Sequence, residues 1–226
     1  MRTIRRTEGT QTHFIMADVE PAYEEVLRGL LYPRCEDGFG RAFPTHTPNL
    51  DRIYLNFERY AEEMLLQAAR IHPVPWEQAL SAFLRTIEHQ SIDWWLTGSA
   101  ALSVRGIDIE PRDFDLVVDD AGAQRLGELL MAYVYEPVVP VQDWICSWFG
   151  RAFLYARFEW VGGVNESIEQ YGVSDAGPTA ASRLETVIWH GKEIRLPPLD
   201  LQLQVSERRG LTERVEMIRR FVSNQG

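Results

Sequence analysis

The chain of 226 residues is long enough for one well-filled core, or for one domain with a sizeable extension. At 45% hydrophobic and 11% aromatic residues it reads as globular, which excludes a disordered chain. A net charge of −10 and a pI near 5.0 argue against long nucleic acid as the main partner, because neutralising phosphates needs a basic footprint.

The chain starts with the basic stretch Met1-Arg-Thr-Ile-Arg-Arg6, followed by polar residues and not by an apolar signal core. Nor does any apolar run approach the roughly twenty residues that span a bilayer. A soluble, cytoplasmic protein with no membrane partner is the expectation. Residues 12–50, with Pro21, Pro33, Pro44 and Pro48 and the turn Asp37-Gly-Phe-Gly40, read as irregular, with a short helix at 22–31. Two amphipathic helices follow. Phe57, Tyr60, Ala61, Met64, Leu65 and Ala68 fall on one helical face, and Trp76, Ala79, Leu80, Phe83, Leu84 and Ile87 repeat that spacing. His72-Pro-Val-Pro75 separates them, and Pro75 suits the first turn of the second helix.

Next come a strand at 92–97, a Gly-Ser turn into a short helix at 99–105, and a strand at 113–118. A helix at 121–132 leads to a strand near 138–141. Trp144-Ile-Cys-Ser-Trp-Phe-Gly150 then reads as a turn before a further strand, Phe153-Leu-Tyr-Ala-Arg-Phe-Glu-Trp-Val161. Residues 185–196 read as a hairpin turning at His190-Gly191 and ended by Pro197-Pro198. Segment 199–208 alternates like a strand. The last helix, 211–222, turns Leu211, Val215, Ile218 and Val222 inward and its arginines outward.

The chemistry is concentrated near the middle of the chain. Leu96-Thr-Gly98-Ser99 closes an apolar strand, and a Gly-Ser turn can wrap backbone N–H groups around phosphate oxygens. Thirteen residues later comes Asp113-Phe114-Asp115. Aspartates two apart on a strand project from one face and can share a hard cation such as Mg2+. Glu159 is acidic inside an otherwise apolar, aromatic run, and such a residue is rarely buried without a partner. A shared metal or Arg157 would serve. Lys192 is the sole lysine, so any phosphate clamp must use arginine or backbone. Arg105 and Arg112 are candidates, as phosphate ligands or as surface ion pairs. Arg208, Arg209, Arg214, Arg219 and Arg220 read as a solvated helix face or a local basic patch. Cys35 and Cys146 read as ordinary thiols, and the five histidines show no zinc spacing.

These residues resemble the nucleotidyltransferase superfamily, which includes DNA polymerase beta, tRNA CCA-adding enzymes and antibiotic nucleotidyltransferases. Ala101-Leu102, Arg105-Gly106 and Pro111 are similar to a branch of small prokaryotic nucleotidyltransferase-like proteins. The resemblance covers residues 85–222 and is most specific over 94–119. It implies an α+β fold: a mixed β-sheet flanked by helices over 86–226, preceded by a loop-rich and helical N-terminal extension over 1–85. It also favours a helix at 199–208, just after the prolines. A third carboxylate is implied on a later strand beside the aspartate pair, and Glu159 is the candidate, with Glu166 and Glu169 as competitors downstream.

The implied reaction moves a nucleoside monophosphate from an NTP to an acceptor hydroxyl on a small molecule, a protein or a tRNA. Asp113, Asp115 and Glu159 would be the catalytic and metal-binding set, holding Mg2+ (or Mn2+). Gly98 and Ser99, with Arg112 or Arg105, would bind the NTP phosphates. The alternative is a catalytically weak nucleotide-binding module of a toxin-antitoxin or other partner complex. Which NTP and which acceptor are used stays open, as does the choice between a homodimer and a chain with a protein partner.

Overall fold

A computed structural model describes residues 1–141, 145–170 and 172–224. Trp144, part of the turn expected before the Glu159 strand, lies outside them. The N-terminal region holds more β-structure than its prolines suggest. β1 (Arg2–Glu8) and β2 (Gln11–Ala17) form a hairpin whose two-residue turn has Gly9 at φ +57°. After α1 (Glu24–Gly29), the short β3 (Arg34–Cys35) and β4 (Gly38–Pro44) complete a four-stranded sheet of order β1-β2-β4-β3. The irregular reading of residues 12–50 is therefore corrected. Phe14, Ile15, Met16 and Ala17 are all buried, a short continuous apolar run without alternation that the surrounding prolines mask. Phe14 sits in an aromatic nest of Phe43, Tyr54 and Phe57, with ring centroids 5.2–5.5 Å away.

α2 (Leu50–Ala68) and α3 (Trp76–Ile87) are the two amphipathic helices, and they bury the stripes read from their sequences. α2 also ties the extension to the C-terminal part of the chain. Asn56 Nδ2 donates to the carbonyls of Met131 and Val134 at 2.9 and 2.8 Å, and Gln67 Nε2 donates to that of Tyr155 at 2.9 Å. One apolar core runs unbroken from Phe14 and Phe57 through Phe83 to Phe114, Phe158 and Trp160. Residue 85 therefore marks no break in packing.

The second sheet is built from β5 (Trp94–Thr97), α4 (Gly98–Val104), β6 (Phe114–Val118), α5 (Asp120–Leu129), β7 (Val134–Pro140), β8 (Trp148–Leu154) and β9 (Ala156–Gly162). Its order is β5-β6-β9-β8-β7. The β6–β9 pair is parallel and the others antiparallel, so the sheet is mixed and the fold α+β. Strand alternation divides it chemically. Phe114, Leu116, Phe158 and Trp160 face the core, where Phe114 stacks on Phe158 at 4.4 Å and Phe83 of α3 covers Phe158 at 5.1 Å. Asp113, Asp115, Arg157 and Glu159 face the other way.

The C-terminal third holds the short α6 (Pro178–Ala181), the hairpin β10 (Glu185–Trp189) and β11 (Lys192–Leu196), α7 (Leu199–Arg208) and α8 (Thr212–Ser223). The hairpin turns at His190-Gly191, both at positive φ. The ambiguous segment is the helix α7. No helix among the described residues is long and apolar enough to cross a membrane.

Candidate active site

One row of side chains crosses the face of the second sheet opposite Phe114 and Phe158. Register pairs Glu136 of β7 with Arg151 of β8, Arg151 with Glu159 of β9, Glu159 with Asp115 of β6, and Asp115 with Thr97 of β5. Adjacent strands bring such partners within about 5 Å of each other. The row opens into a cleft of about 1950 Å3, lined by Gly98, Ser99, Arg112, Asp113, Asp115 and Glu159 on the sheet side and by Arg209 at the end of α7 and Arg214 in the first turn of α8.

The Gly-Ser turn is pressed against this row. Gly98 has φ +68°, and a Cβ there would lie 2.4 Å from Asp115 Oδ2. Only glycine therefore lets the turn's backbone approach the carboxylate so closely. From the other side, Gln202 Nε2 of α7 donates to the Gly98 carbonyl at 3.3 Å. Ser99 is buried at the head of α4.

The Asp115 carboxylate has no hydrogen-bond or ion-pair partner among the described residues. Burial pushes its carboxyl up to about 8, helped by the charges of Asp113 and Glu159 and opposed by Arg157. Asp113 and Glu159 are instead paired. Arg157 donates from one guanidinium nitrogen to Asp113 and from Nη1 to Glu159 Oε1 at 3.0 Å. Arg151 Nε lies 2.7 Å from the same Glu159 oxygen, an ion pair without an aligned hydrogen bond. Arg151 is fully buried and also donates to Glu136 at 3.0 Å and to the Leu30 carbonyl at 3.1 Å. Burial acts to lower the pKa of both arginines, but the facing carboxylates outweigh it and hold both guanidinium groups charged.

The N-terminal region reaches this network directly. Tyr32 donates to Glu136, and Arg41 Nη1 lies 2.9 Å from the same carboxylate. Sequence reasoning missed Glu136, Arg151 and the N-terminal contribution, because only strand register places them beside Glu159. Asp175 was also missed. It accepts from Thr97 Oγ1 and lies on the cleft wall. Of the C-terminal arginines, Arg209 and Arg214 line the cleft, while Arg219 pairs with Glu207. Burial and the neighbouring Arg209 lower the pKa of Arg214, and the charges of Asp115, Asp175 and Asp113 oppose them.

The remaining candidates separate clearly. Arg112 is exposed on the cleft rim. Arg105 points away from the cleft, bonded to the Pro197 carbonyl and paired with Glu185 at 2.7 Å, so it ties α4 to the C-terminal hairpin. Glu169 accepts from the N–H and hydroxyl of Thr179, which fixes the start of α6, and Glu166 is exposed in a short 3-10 turn. Both cysteines are free, and burial pushes Cys146 up to about 11.

The divalent metal that the sequence resemblance implies finds a partial fit. Asp115 is a crowded, unpaired carboxylate with a raised pKa, and Asp113 stands two residues before it; this donor pair suits a hard cation. Glu159, although the register partner of Asp115, is already held by Arg157 and Arg151. Among the described residues no group of three or more His, Cys, Asp or Glu side chains is disposed to hold a metal ion.

A Gly-Ser turn lies against the strand of the aspartate pair, with Glu159 on the adjacent parallel strand. No protein-family model and no curated protein matches the chain. Two solved structures are similar. One is a candidate nucleotidyltransferase from Thermotoga maritima, TM1012, with 21% identity and a TM-score of 0.49 over 66% of this chain and 93% of that one. The other is the lincosamide antibiotic adenylyltransferase LnuA, solved with lincomycin bound, with 17% identity and a TM-score of 0.41 over 57% of this chain and 84% of that one. Identities this low carry no information about substrate.

Proposed function

We propose that this protein transfers the nucleoside monophosphate of an NTP to an acceptor hydroxyl and releases pyrophosphate. The observation that carries the reading is the contact of Gly98 with Asp115. It sets the backbone of a phosphate-binding turn beside the carboxylate pair that would hold Mg2+ or Mn2+. When bound, such an ion would neutralise phosphate charge and lower the pKa of the acceptor hydroxyl. The chain's own residues do the rest. Backbone N–H groups at Gly98 and Ser99 would hold the β- and γ-phosphates, with Arg112 on the rim as a further candidate contact. Arg209 and Arg214 face the same cleft with the charge that a triphosphate needs. The acceptor oxygen would attack the α-phosphorus, the bond to the β-phosphate would break, and Glu159 would take the acceptor's proton.

The acceptor would enter where the N-terminal region meets the sheet, since Leu30, Leu31 and Ile71 line the cleft there. The acidic surface points to a small molecule or a protein more than to RNA. A second reading, a nucleotide-binding module with weak or no catalysis acting through a partner, is favoured by one observation: Arg151 and Arg157 already pair Glu159.

The test is a calorimetric titration of ATP, GTP, CTP and UTP with Mg2+, on wild type and on Asp113→Ala/Asp115→Ala. Metal-dependent binding of a nucleotide, lost in the double variant, is the expected result. Absence of binding for all four would overturn the reading. Binding with no pyrophosphate release across a panel of hydroxyl acceptors would favour the module.

A further inference from the structure

We infer that Arg157 is a resident cation that occupies the acceptor side of the site, so that the site loads a single divalent ion, at the Asp113–Asp115 pair. This deepens the nucleotidyl-transfer reading and rests on it. Strand geometry brings the three groups together. Arg157 and Glu159 are two apart on β9 and so project from one face, and the register Phe114↔Phe158 sets Asp113 beside Arg157 on the neighbouring strand. The guanidinium bridges Asp113 and Glu159, the two carboxylates that a second metal would have to share.

This is no exchangeable surface pair. The side chains of Arg157, Asp113 and Glu159 are only 16%, 21% and 18% exposed. Breaking the bridge would leave partly buried charges uncompensated, which is costly. Arg151 backs the same oxygen of Glu159 from the buried side, itself anchored on Glu136 and on the Leu30 carbonyl. Glu159 is thus held by two arginines from two strands. Asp115, the one carboxylate of the row without a partner, is left for an added cation. Arginine does not lose its proton, so this charge is permanent, independent of metal supply and of pH in the working range. In that position Arg157 would face the acceptor oxygen and the α-phosphate, and would supply there the charge stabilisation that a second ion otherwise gives.

The test counts bound Mn2+ by electron paramagnetic resonance on the full chain, with Mn2+ as the sole added ligand. Arg157→Gln should hold one more Mn2+ per chain than wild type. Arg157→Gln/Glu159→Gln should lose that extra ion, and Arg157→Lys should match wild type. Equal counts in wild type and Arg157→Gln would overturn the proposal. Should Arg157→Gln fail to fold, Glu159→Gln in the wild-type background still decides. An unchanged Mn2+ count supports the proposal, since Glu159 then ligates no metal, and a count lowered by one overturns it. Both readouts are made without nucleotide, so they stand apart from the nucleotide titration on which the functional reading depends.

Discussion

Asp115 and Glu159 are register partners across the parallel β6–β9 pair, yet only Glu159 has cationic neighbours bonded to it. The asymmetry follows from strand order. β8 brings Arg151 to the far side of Glu159, and β9 itself supplies Arg157. On its other side Asp115 meets β5, where the facing residue is Thr97. The carboxylates of the row are thereby neutralised at one end and left open at the end nearest the Gly-Ser turn.

That openness should appear in the pH dependence of stability. The Asp115 carboxyl is pushed from 3.8 up to about 8, chiefly by burial. A carboxyl raised on folding contributes stability that is complete below its unfolded value and is lost as pH rises through the folded one. Wild type should therefore lose stability between about pH 4 and about pH 8, on the order of a few kcal/mol, and Asp115→Asn should keep it. Urea denaturation of both proteins across that range tests this; parallel curves would contradict the assignment. Above pH 8, Mg2+ should restore stability to wild type and not to Asp115→Asn. The same substitution should abolish Mg2+-dependent NTP turnover with the fold intact.

Arg151 should matter for folding as well as for the site. Replacing it with Met removes one of the two guanidinium neighbours of Glu136, which keeps Arg41 and Tyr32, and one of the two that hold Glu159. Removing one member of a buried pair costs about 3–5 kcal/mol when the other charge is left uncompensated, so with Arg41 still beside Glu136 the loss should fall below that range. Glu136→Gln/Arg151→Met should recover a large part of that loss. A double-mutant cycle in chemical denaturation measures the coupling, and additive effects would show that the pair acts independently.

How much of this was legible in the sequence depended on the range of the interactions. The stripes of α2 and α3, the hairpin at His190-Gly191 and the Gly-Ser and Asp-Phe-Asp segments are local patterns, set by side-chain period and by glycine. The approach of Gly98 to Asp115 joins two such segments and needed the fold to become visible. The Glu136–Arg151–Glu159 row was not legible at all. Its members come from three strands, and an isolated glutamate or arginine in an apolar run carries no information about which strand will lie beside it. The N-terminal sheet was missed for a related reason: the turn residues and prolines of 12–50 gave a loop signal stronger than the four-residue apolar run of β2.

Glu159→Gln separates a chemical role from a structural one. The substitution keeps an oxygen for Arg151 and Arg157 but removes the charge and the capacity to accept a proton. Nucleotide affinity should change little, while the rate of pyrophosphate release should fall by at least about 100-fold, the usual contribution of a positioned base. The comparison is Kd from calorimetry against single-turnover rate. A joint fall of both would assign Glu159 to holding the strand pair together.

Gly98→Ala tests the contact on which the functional reading stands. At φ +68° a side chain is strained by about 1–3 kcal/mol, and the new methyl group would sit 2.4 Å from Asp115 Oδ2. The carboxylate is the movable partner, so the methyl group should displace Asp115 more than it unfolds the chain. Thermal stability should drop modestly, by a few degrees, whereas metal-dependent nucleotide binding should weaken by at least about tenfold, the equivalent of about 1.4 kcal/mol. Calorimetry on the folded variant reads this directly. Unchanged affinity would mean that the Gly98 backbone and Asp115 do not act on the same phosphate.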